Sequence, residues 1–267
     1  MVYNCCNDFA VTTSLHPDGQ LVKRAQLVAQ SLGVPYINRG NCSIESITAG
    51  AGVKGLLVVS KGRFSYISEN GELFFHPSIS IMRINNFKNG KTDRMIEAMD
   101  LKKGDAVLDC TLGLGSDAIV ASYVAGSEGR VVGIEVSAVL AFLVRCGLKE
   151  YKYPVEDITA AMRRIEVINA DHREYLYKVP PQSYDVVYFD PMFRRPVKKS
   201  SSINAVRCVA VRDPIEPGVI DRAVKVARKR VVMKERQGSS EFERLGFKFT
   251  VGGKTSPVAY GVIDVRG

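Results

Sequence analysis

A glycine-rich turn with acidic neighbours lies near the middle of the sequence. Residues 107–118 read Val-Leu-Asp-Cys-Thr-Leu-Gly-Leu-Gly-Ser-Asp-Ala, in which the pattern of a buried strand runs into a turn that opens a helix. Gly113 and Gly115 remove side chains where a ligand must approach the backbone closely. The same spacing also fits the dinucleotide-binding fingerprint, so the glycines alone leave the kind of ligand open.

The acidic residues beside this turn help to distinguish a ligand with phosphate groups from a cationic ligand. A pyrophosphate binds a helix N-terminus through free N–H groups and the helix dipole, and the carboxylate of Asp117 in that turn would repel it. S-adenosylmethionine carries no phosphate, and its sulfonium and ammonium groups are cationic. We therefore expect Asp109, at the strand end, to face S-adenosylmethionine, whereas Asp117 either faces it too or only caps the helix.

Polar residues also follow the next two predicted strands. Glu135 ends the second strand, 20 residues after Gly115, where an acid commonly accepts hydrogen bonds from ribose hydroxyls. Asp171 and His172 follow the third strand; Asp171 could accept the adenine amino group, and His172 could line the same pocket. Because ligands of open α/β sheets bind beyond the carboxyl ends of the strands, we expect these residues to share one pocket.

The tetrapeptide Asp-Pro-Met-Phe at residues 190–193 follows another strand pattern. It resembles the Asp/Asn-Pro-Pro-aromatic tetrapeptide of amino-group methyltransferases, with Met at the third position and Phe for the usual Tyr. The resemblance implies that the Asp190 side chain and the Pro191 carbonyl accept the hydrogens of a target amine, and that Phe193 stacks on a base. Two acceptors would aim the nitrogen lone pair, so catalysis would rest mainly on positioning. The other interpretation is a simple strand-to-loop turn.

A longer set of motifs resembles one family. Residues 110–118, residues 190–193 and residues 230–234 (Arg-Val-Val-Met-Lys) are similar to the small-subunit ribosomal RNA guanine-N2 methyltransferases and to a related branch of uncharacterised bacterial proteins. The resemblance covers roughly residues 90–250. It implies an α/β fold, namely a Rossmann-like seven-stranded methyltransferase sheet with a small N-terminal α+β domain, and S-adenosyl-L-methionine as cofactor. The cofactor contacts that it implies are Ser116, Asp117, Glu135, Val136, Asp171, His172 and Asp190.

The charge of the chain favours a polyanionic partner. The formal net charge is +9 and the sequence pI is about 9.2, and a basic surface attracts nucleic acid. One basic cluster follows the tetrapeptide and is predicted to contact RNA: Arg194, Arg195, Lys198 and Lys199. A second is expected near the ligand edge of the sheet: Arg228, Lys229, Arg230, Lys234 and Arg236. Val136 stands where the ribosomal enzymes tend to have a basic residue, which leaves the RNA target open.

The elements that must position these residues are predicted from hydropathy patterns. Residues 1–90 read as a small α+β domain of unassigned role, with substrate docking one option, and residues 91–267 as the methyltransferase domain. In the second part strands alternate with helices, which predicts a parallel sheet closed by an antiparallel pair. The predicted strands of the parallel part are residues 106–110, 130–135, 165–169, 184–189 and 230–234.

Other features of the sequence narrow the function classes. The six cysteines have no metal-ligand spacing, so we expect no metal and a reducing cytoplasm. No stretch has the ~20 apolar residues of a membrane span. The leading hypothesis is methyl transfer to an exocyclic amine of an RNA base, guanine N2 of ribosomal RNA in particular. A small-molecule or protein methyltransferase, a non-catalytic S-adenosylmethionine-binding module and, more distantly, a nicotinamide dehydrogenase remain as alternatives.

Overall fold

A four-stranded sheet forms from the first part of the chain in the computed structural model, which describes residues 8–191, 213–253 and 256–266. Its strands, in spatial order, are β1 (Phe9–Thr13), β2 (Gly55–Val59), β3 (Phe64–Ser68) and β4 (Gly71–Phe74). β1 pairs parallel with β2, and the other pairs are antiparallel. The dipeptide Asn70-Gly71, a common hairpin signal, joins β3 to β4, and Gly71 takes a φ of 117° that favours glycine.

Four helices lie in the chain before the large sheet begins: α1 (Gly19–Leu32), α2 (Ile44–Ala51), α3 (Ser78–Lys88) and α4 (Arg94–Met99). α1 and α2 pack on the small sheet, α3 packs on the helix Ser116–Ala125, and α4 packs on the strands Ala227–Arg236, Phe249–Gly252 and Val258–Asp264. Asp18 caps α1 by accepting the Leu21 N–H at 2.8 Å. The helix α3 was not expected from the sequence, because its apolar residues do not follow one face. Only Ser80 and Ile84 of α3 are buried, and Ile79 is 57% exposed.

A seven-stranded sheet forms the larger part of the molecule and confirms the predicted fold class. Its strands are β5 (Ala106–Asp109), β6 (Arg130–Glu135), β7 (Ile165–Asn169), β8 (Tyr184–Phe189), β9 (Ala227–Arg236), β10 (Phe249–Gly252) and β11 (Val258–Asp264). The spatial order is β10-β11-β9-β8-β5-β6-β7. β9, β8, β5, β6 and β7 pair parallel, while β11 and β10 close the edge antiparallel. The chain leaves β5 in one direction and returns to β8 on its other side, which opens a crevice at their carboxyl ends.

Helices cover both faces of this sheet. They are α5 (Ser116–Ala125), α6 (Ala138–Glu150), α7 (Glu156–Arg163), α8 (His172–Lys178), α9 (Pro217–Val226) and α10 (Glu241–Arg244). Successive strand residues point to opposite faces, so Val107 joins the core beneath α5 and α6, and Leu108 joins the core beneath α8 and α9. The near-continuous apolar strands follow from this double cover.

The small sheet shares a core with the large one. The Phe64 and Phe142 rings pack edge to face with centroids 5.0 Å apart. The Phe75 ring lies against Gly147 of α6 so closely that a Cβ added at Gly147 would lie 2.0 Å from it. The division at residue 90 stays a prediction.

No helix in the described part of the chain is long and apolar enough to cross a membrane. Within the same residues no group of three or more His, Cys, Asp and Glu side chains could hold a metal ion.

Candidate active site

A cleft opens at the carboxyl ends of β5, β6, β7 and β8, and the empty space in it, together with the solvent at its opening, is about 860 Å³. Several residues singled out from the sequence line it together: Gly113, Glu135, Val136, Asp171, His172, Asp190 and Pro191. These positions are up to 78 residues apart in the chain, and the parallel strand order brings them to one edge.

The glycine turn and the acid of β6 are joined directly. Gly113 has a φ of 52°, and its N–H donates to Glu135 Oε2 at 3.1 Å. The Ser137 N–H donates to Glu135 Oε1 at 2.9 Å. Burial raises the pKa of Glu135 to about 7 in spite of these donors. The carboxyl group therefore fixes the turn and still lines the cleft.

Asp109, Gly115 and Ser116 lie behind the cleft rather than on its lining. Asp109 is 2% exposed and accepts the Thr111 N–H at 3.0 Å, and burial raises its pKa well above the ordinary value. Gly115 has a φ of 77° at the start of α5, and the Ser116 carbonyl accepts the Ser80 hydroxyl at 3.1 Å. These residues shape the turn from beneath, and a direct cofactor contact for them stays a prediction.

Asp117 is the centre of a buried ionic cluster. It accepts the Tyr188 hydroxyl at 2.7 Å, the Lys234 ammonium at 3.0 Å, and the Arg83 guanidinium. Burial acts to raise the pKa of Asp117, but Lys234 and Arg83 outweigh it and hold the pKa below the ordinary value. In this position Asp117 does not line the cleft, and its predicted contact with the cofactor also stays a prediction.

Asp190 links this cluster to the cleft. Its backbone N–H donates to Thr111 Oγ1 at 2.5 Å, and its Oδ2 accepts from Lys234 Nζ at 2.7 Å. Burial raises the pKa of Asp190 to about 6, and Lys234 opposes that rise. The Asp190 side chain is 29% exposed, so it is held firmly and still faces the space that a substrate must enter.

The opposite wall is formed at the start of α8. Asp171 caps the helix by accepting the Arg173 N–H at 2.8 Å, and it pairs with the Arg173 guanidinium at 2.6 Å. His172 packs edge to face on Phe189 with centroids 5.9 Å apart, and burial lowers the pKa of His172. His172 is therefore a neutral wall residue near pH 7.

The lining fits S-adenosylmethionine. Apolar side chains of Ile134, Leu140, Ile215 and Val219 offer a surface for the adenine ring, and Glu135 offers a carboxylate for hydroxyl groups. Asp190 adds negative charge, which suits a sulfonium and an ammonium group.

Some functional residues could not be found from the sequence. Arg83 lies on the unexpected helix α3, so nothing local connected it to the glycine turn. Thr111 and Tyr188 were inside recognised motifs, but their contacts depend on pairing between β5 and β8. Lys234 was visible as a basic residue at a strand end, and the structure places it against acids rather than on an open surface.

The second basic cluster was partly misplaced. Arg228 pairs with Asp185 at 2.7 Å, and Lys229 pairs with Asp185 and Asp105. The expectation that they border the ligand edge was wrong: β9 runs parallel to β8, and Ala227 lies beside Tyr184 at the amino ends. The predicted base-stacking and RNA-contact residues Phe193, Arg194, Arg195, Lys198 and Lys199 lie outside the described residues.

The doubly covered sheet and the acidic cleft beside a glycine turn define an S-adenosylmethionine-dependent methyltransferase. The chain belongs to the family described as "Putative SAM-dependent methyltransferase", whose model matches residues 75–256. Its cofactor is therefore S-adenosyl-L-methionine.

The chain is also similar to individual proteins. The chain is 42% identical to the uncharacterized protein YpiP of Bacillus subtilis over 95% of this chain and 98% of that one. It is 34% identical to ribosomal RNA small subunit methyltransferase J of Coxiella burnetii over 55% of this chain and 58% of that protein. A crystal structure of a SAM-dependent methyltransferase from Neisseria gonorrhoeae has a TM-score of 0.65 at 16% identity, covering 97% of this chain and 96% of that chain, which shows a common fold.

Proposed function

We propose that this chain transfers a methyl group to an exocyclic amine of an RNA base, with guanine N2 of ribosomal RNA as the expected target. The observation that carries the proposal is the placement of Asp190 and Pro191 on the lining of the cleft, beyond the carboxyl end of β8. Among the described residues none donates a hydrogen bond to Asp190 Oδ1, whereas Oδ2 is held by Lys234. Within the described residues, Oδ1 is therefore left to accept an amine hydrogen.

Two acceptors orient the amine. Asp190 Oδ1 and the Pro191 carbonyl accept its hydrogens and direct the nitrogen lone pair toward the methyl donor, so the enzyme gains rate from orientation. Glu135, Val136, Asp171, His172 and Gly113 line the cleft and are the residues that would hold the cofactor. When bound, the cofactor supplies a methyl group activated by its sulfonium. Asp109, Gly115, Ser116 and Asp117 support the turn from behind.

Charge and relatedness support an RNA substrate. The net charge of +9 favours a polyanion, and the Coxiella burnetii relative is named for methylation of ribosomal RNA. Arg194, Arg195, Lys198 and Lys199 follow the tetrapeptide in sequence and are proposed to hold phosphates while the base enters the cleft. A base inside a duplex must first flip out, at a cost of a few kcal/mol.

We propose substrate docking as the role of residues 1–90.

The proposal is tested with ribosomal RNA from a strain that lacks the gene. The purified chain is incubated with labelled S-adenosylmethionine and this RNA, and the modified nucleotide is mapped. We expect label in RNA, on a guanine N2 group, and none in RNA that the intact strain has already modified. Transfer only to protein or small molecules would reject an RNA substrate.

The acidic mouth of the cleft favours a second candidate, a small amine-bearing substrate. Asp213 and Glu216 line the cleft together with Glu135, Asp171 and Asp190, and these carboxylates repel phosphate. Salt separates the candidates, because binding to RNA weakens steeply as salt rises. Turnover without RNA, and insensitive to salt between about 50 and 200 mM, would favour the small molecule.

A further inference from the structure

Lys234 lies between the carboxylates of Asp117 and Asp190 near the carboxyl end of β9. We propose that Lys234, anchored by Asp117, is a positioning residue that fixes Asp190 as an ionised acceptor for the target amine. The inference rests on the proposed amine chemistry, and it gives a positioning role to a lysine that the sequence alone places in a basic cluster near the ligand edge.

The contacts define what Lys234 does to Asp190. Lys234 Nζ donates to Asp190 Oδ2 at 2.7 Å and to Asp117 Oδ2 at 3.0 Å. The Lys234 side chain is 22% exposed, so water competes weakly for the ammonium. Binding one carboxylate oxygen restricts rotation of the group and leaves Oδ1 for the substrate. The backbone of Asp190 is fixed separately through Thr111.

Asp117 is itself held from two other elements, so Lys234 has a rigid support. Tyr188 of β8 and Arg83 of α3 both donate to Asp117. Arg83 also forms a two-point pair with Asp93, with N–O distances of 2.8 and 2.9 Å. Asp93 in turn caps α4. A continuous chain of contacts therefore runs from α3 and α4 to the carboxylate at the cleft.

The charges around Asp190 act in opposite directions. Burial and the nearby carboxylates of Asp117 and Asp109 disfavour the ionised form of Asp190, whereas Lys234 favours it. The buried Tyr188 hydroxyl also faces the Asp190 carboxyl group. Arg83 neutralises Asp117 rather than Asp190. Removing Lys234 and removing Asp117 should therefore move the pKa of Asp190 in opposite directions, which a purely structural role would not produce.

The experiment titrates Asp190 directly in the full chain without RNA. Carbon-13 NMR of protein labelled at aspartate carboxyl groups follows the pKa, and the signal lost in Asp190→Asn assigns it. We expect Lys234→Met to raise the pKa of Asp190 by about 1–3 units and Asp117→Asn to lower it by about 1 unit. Lys234→Arg should remain close to the parent.

Lys229→Met is the matched control. Lys229 lies on the same strand, is 25% exposed, and is also held by two aspartates, Asp105 and Asp185. That pair lies at the amino end of β9, so the same substitution there should leave the titration of Asp190 unchanged. A shift in this variant equal to that of Lys234→Met would overturn the proposal.

The outcomes are distinct from those of the RNA experiment. Opposite shifts of the Asp190 pKa in Lys234→Met and Asp117→Asn support the positioning role even if the methylated substrate is not RNA. Unchanged titration of Asp190 in both variants refutes it even if RNA is methylated. If Lys234→Met fails to fold, Asp117→Asn decides: an Asp190 pKa that stays the same or rises in that variant contradicts the proposal.

The proposal also predicts an effect on turnover once a substrate is known. Lys234→Met should lower kcat at pH 7 about two- to one-hundredfold, because a smaller fraction of Asp190 is ionised, and the cofactor Kd should be nearly unchanged.

Discussion

The N–H of Gly113 donates to Glu135 Oε2 at 3.1 Å, so the turn after β5 is tied to the end of β6 by a side chain that also lines the cleft. The bond explains why a glycine turn and an acid on the next strand act as one unit. Burial raises the pKa of the Glu135 carboxyl group to about 7, although the hydrogen bond from Gly113 acts to lower it. The state of this group therefore changes near neutral pH.

Cofactor affinity should depend on pH through Glu135. The carboxyl group is protonated below its raised pKa, and only the carboxylate accepts well from both ribose hydroxyls, so binding should tighten as pH rises from about 6 to 8. The change should approach tenfold per pH unit on the acidic side. Calorimetry with S-adenosylhomocysteine across this range measures it.

Two glutamine variants show whether Glu135 is responsible. Glu135→Gln should bind more weakly and lose the pH dependence. Glu166→Gln, on the neighbouring strand β7 and in a surface pair with Arg130, should keep the parent behaviour. An unchanged pH profile in Glu135→Gln would assign the titration to another group.

The contribution of the Gly113 turn to cofactor binding can be tested separately from its effect on stability. Gly113→Ala places a methyl group on a residue that lines the cleft and has a φ of 52°. We expect a loss of about 1 kcal/mol in the free energy of unfolding and at least several-fold weaker cofactor binding.

Gly104→Ala provides the comparison for strain alone. Gly104 has a φ of 84°, and a Cβ there would meet nothing within 4 Å. It should lose similar stability in denaturant unfolding and keep the parent Kd. Equal losses of affinity in the two variants would mean that the turn acts only through stability.

Substitution of Asp190 should affect methyl transfer much more than cofactor binding. Asp190→Ala removes the acceptor at the cleft and should lower kcat by about 100-fold or more, while the cofactor Kd changes little because other carboxylates line the cleft. Rapid-quench measurements with labelled cofactor give the first value and calorimetry gives the second. Parent-like turnover in this variant would remove Asp190 from its role.

Gly147 should show how tightly the two sheets are joined. Replacing a helical glycine by alanine normally stabilises a helix by about 0.5–1 kcal/mol, as expected for Gly50→Ala in α2, where a Cβ would meet nothing within 4 Å. At Gly147 the added methyl group meets the Phe75 ring at 2.0 Å, so Gly147→Ala should destabilise the protein by about 1–3 kcal/mol.

Denaturant unfolding of both glycine variants checks the sign of this difference. Stabilisation of Gly147→Ala to the level of Gly50→Ala would mean that Phe75 moves without cost, and that the junction between the small sheet and α6 is loose.

Much of the fold could be predicted because local patterns agree with tertiary packing. The strands Arg130–Glu135, Ile165–Asn169 and Tyr184–Phe189 have the bounds expected from their hydropathy patterns. Every residue of Tyr184–Phe189 is buried, as expected for a strand that is covered on both faces. β9 is longer at both ends than its predicted core of residues 230–234. β8 pairs with it at Ala227, and β11 pairs with it over seven residues from Arg230 to Arg236. Both partner strands are remote in sequence, so these pairings leave no local pattern.

The residues of the candidate site that lie at strand ends could also be predicted from the sequence. Gly113, Glu135, Asp171 and Asp190 each lie at the end of a strand or shortly after it, so topology alone brings them to one cleft. Asp117 shows the limit: its place in the helix start is clear from sequence, but the side chains around it come from α3, β8 and β9. A single carboxylate in a motif does not show whether it faces a ligand or a buried cation.

The sequence by itself determined the doubly covered parallel sheet, the glycine turn and the acids at the strand ends, because these depend on hydropathy and on residues close in the chain. Only the tertiary structure decided which charges meet: Arg83 and Lys234 pair with Asp117 across 34 and 117 residues. The free energy of an ion pair depends on separation and burial in space, and neither can be read from sequence distance.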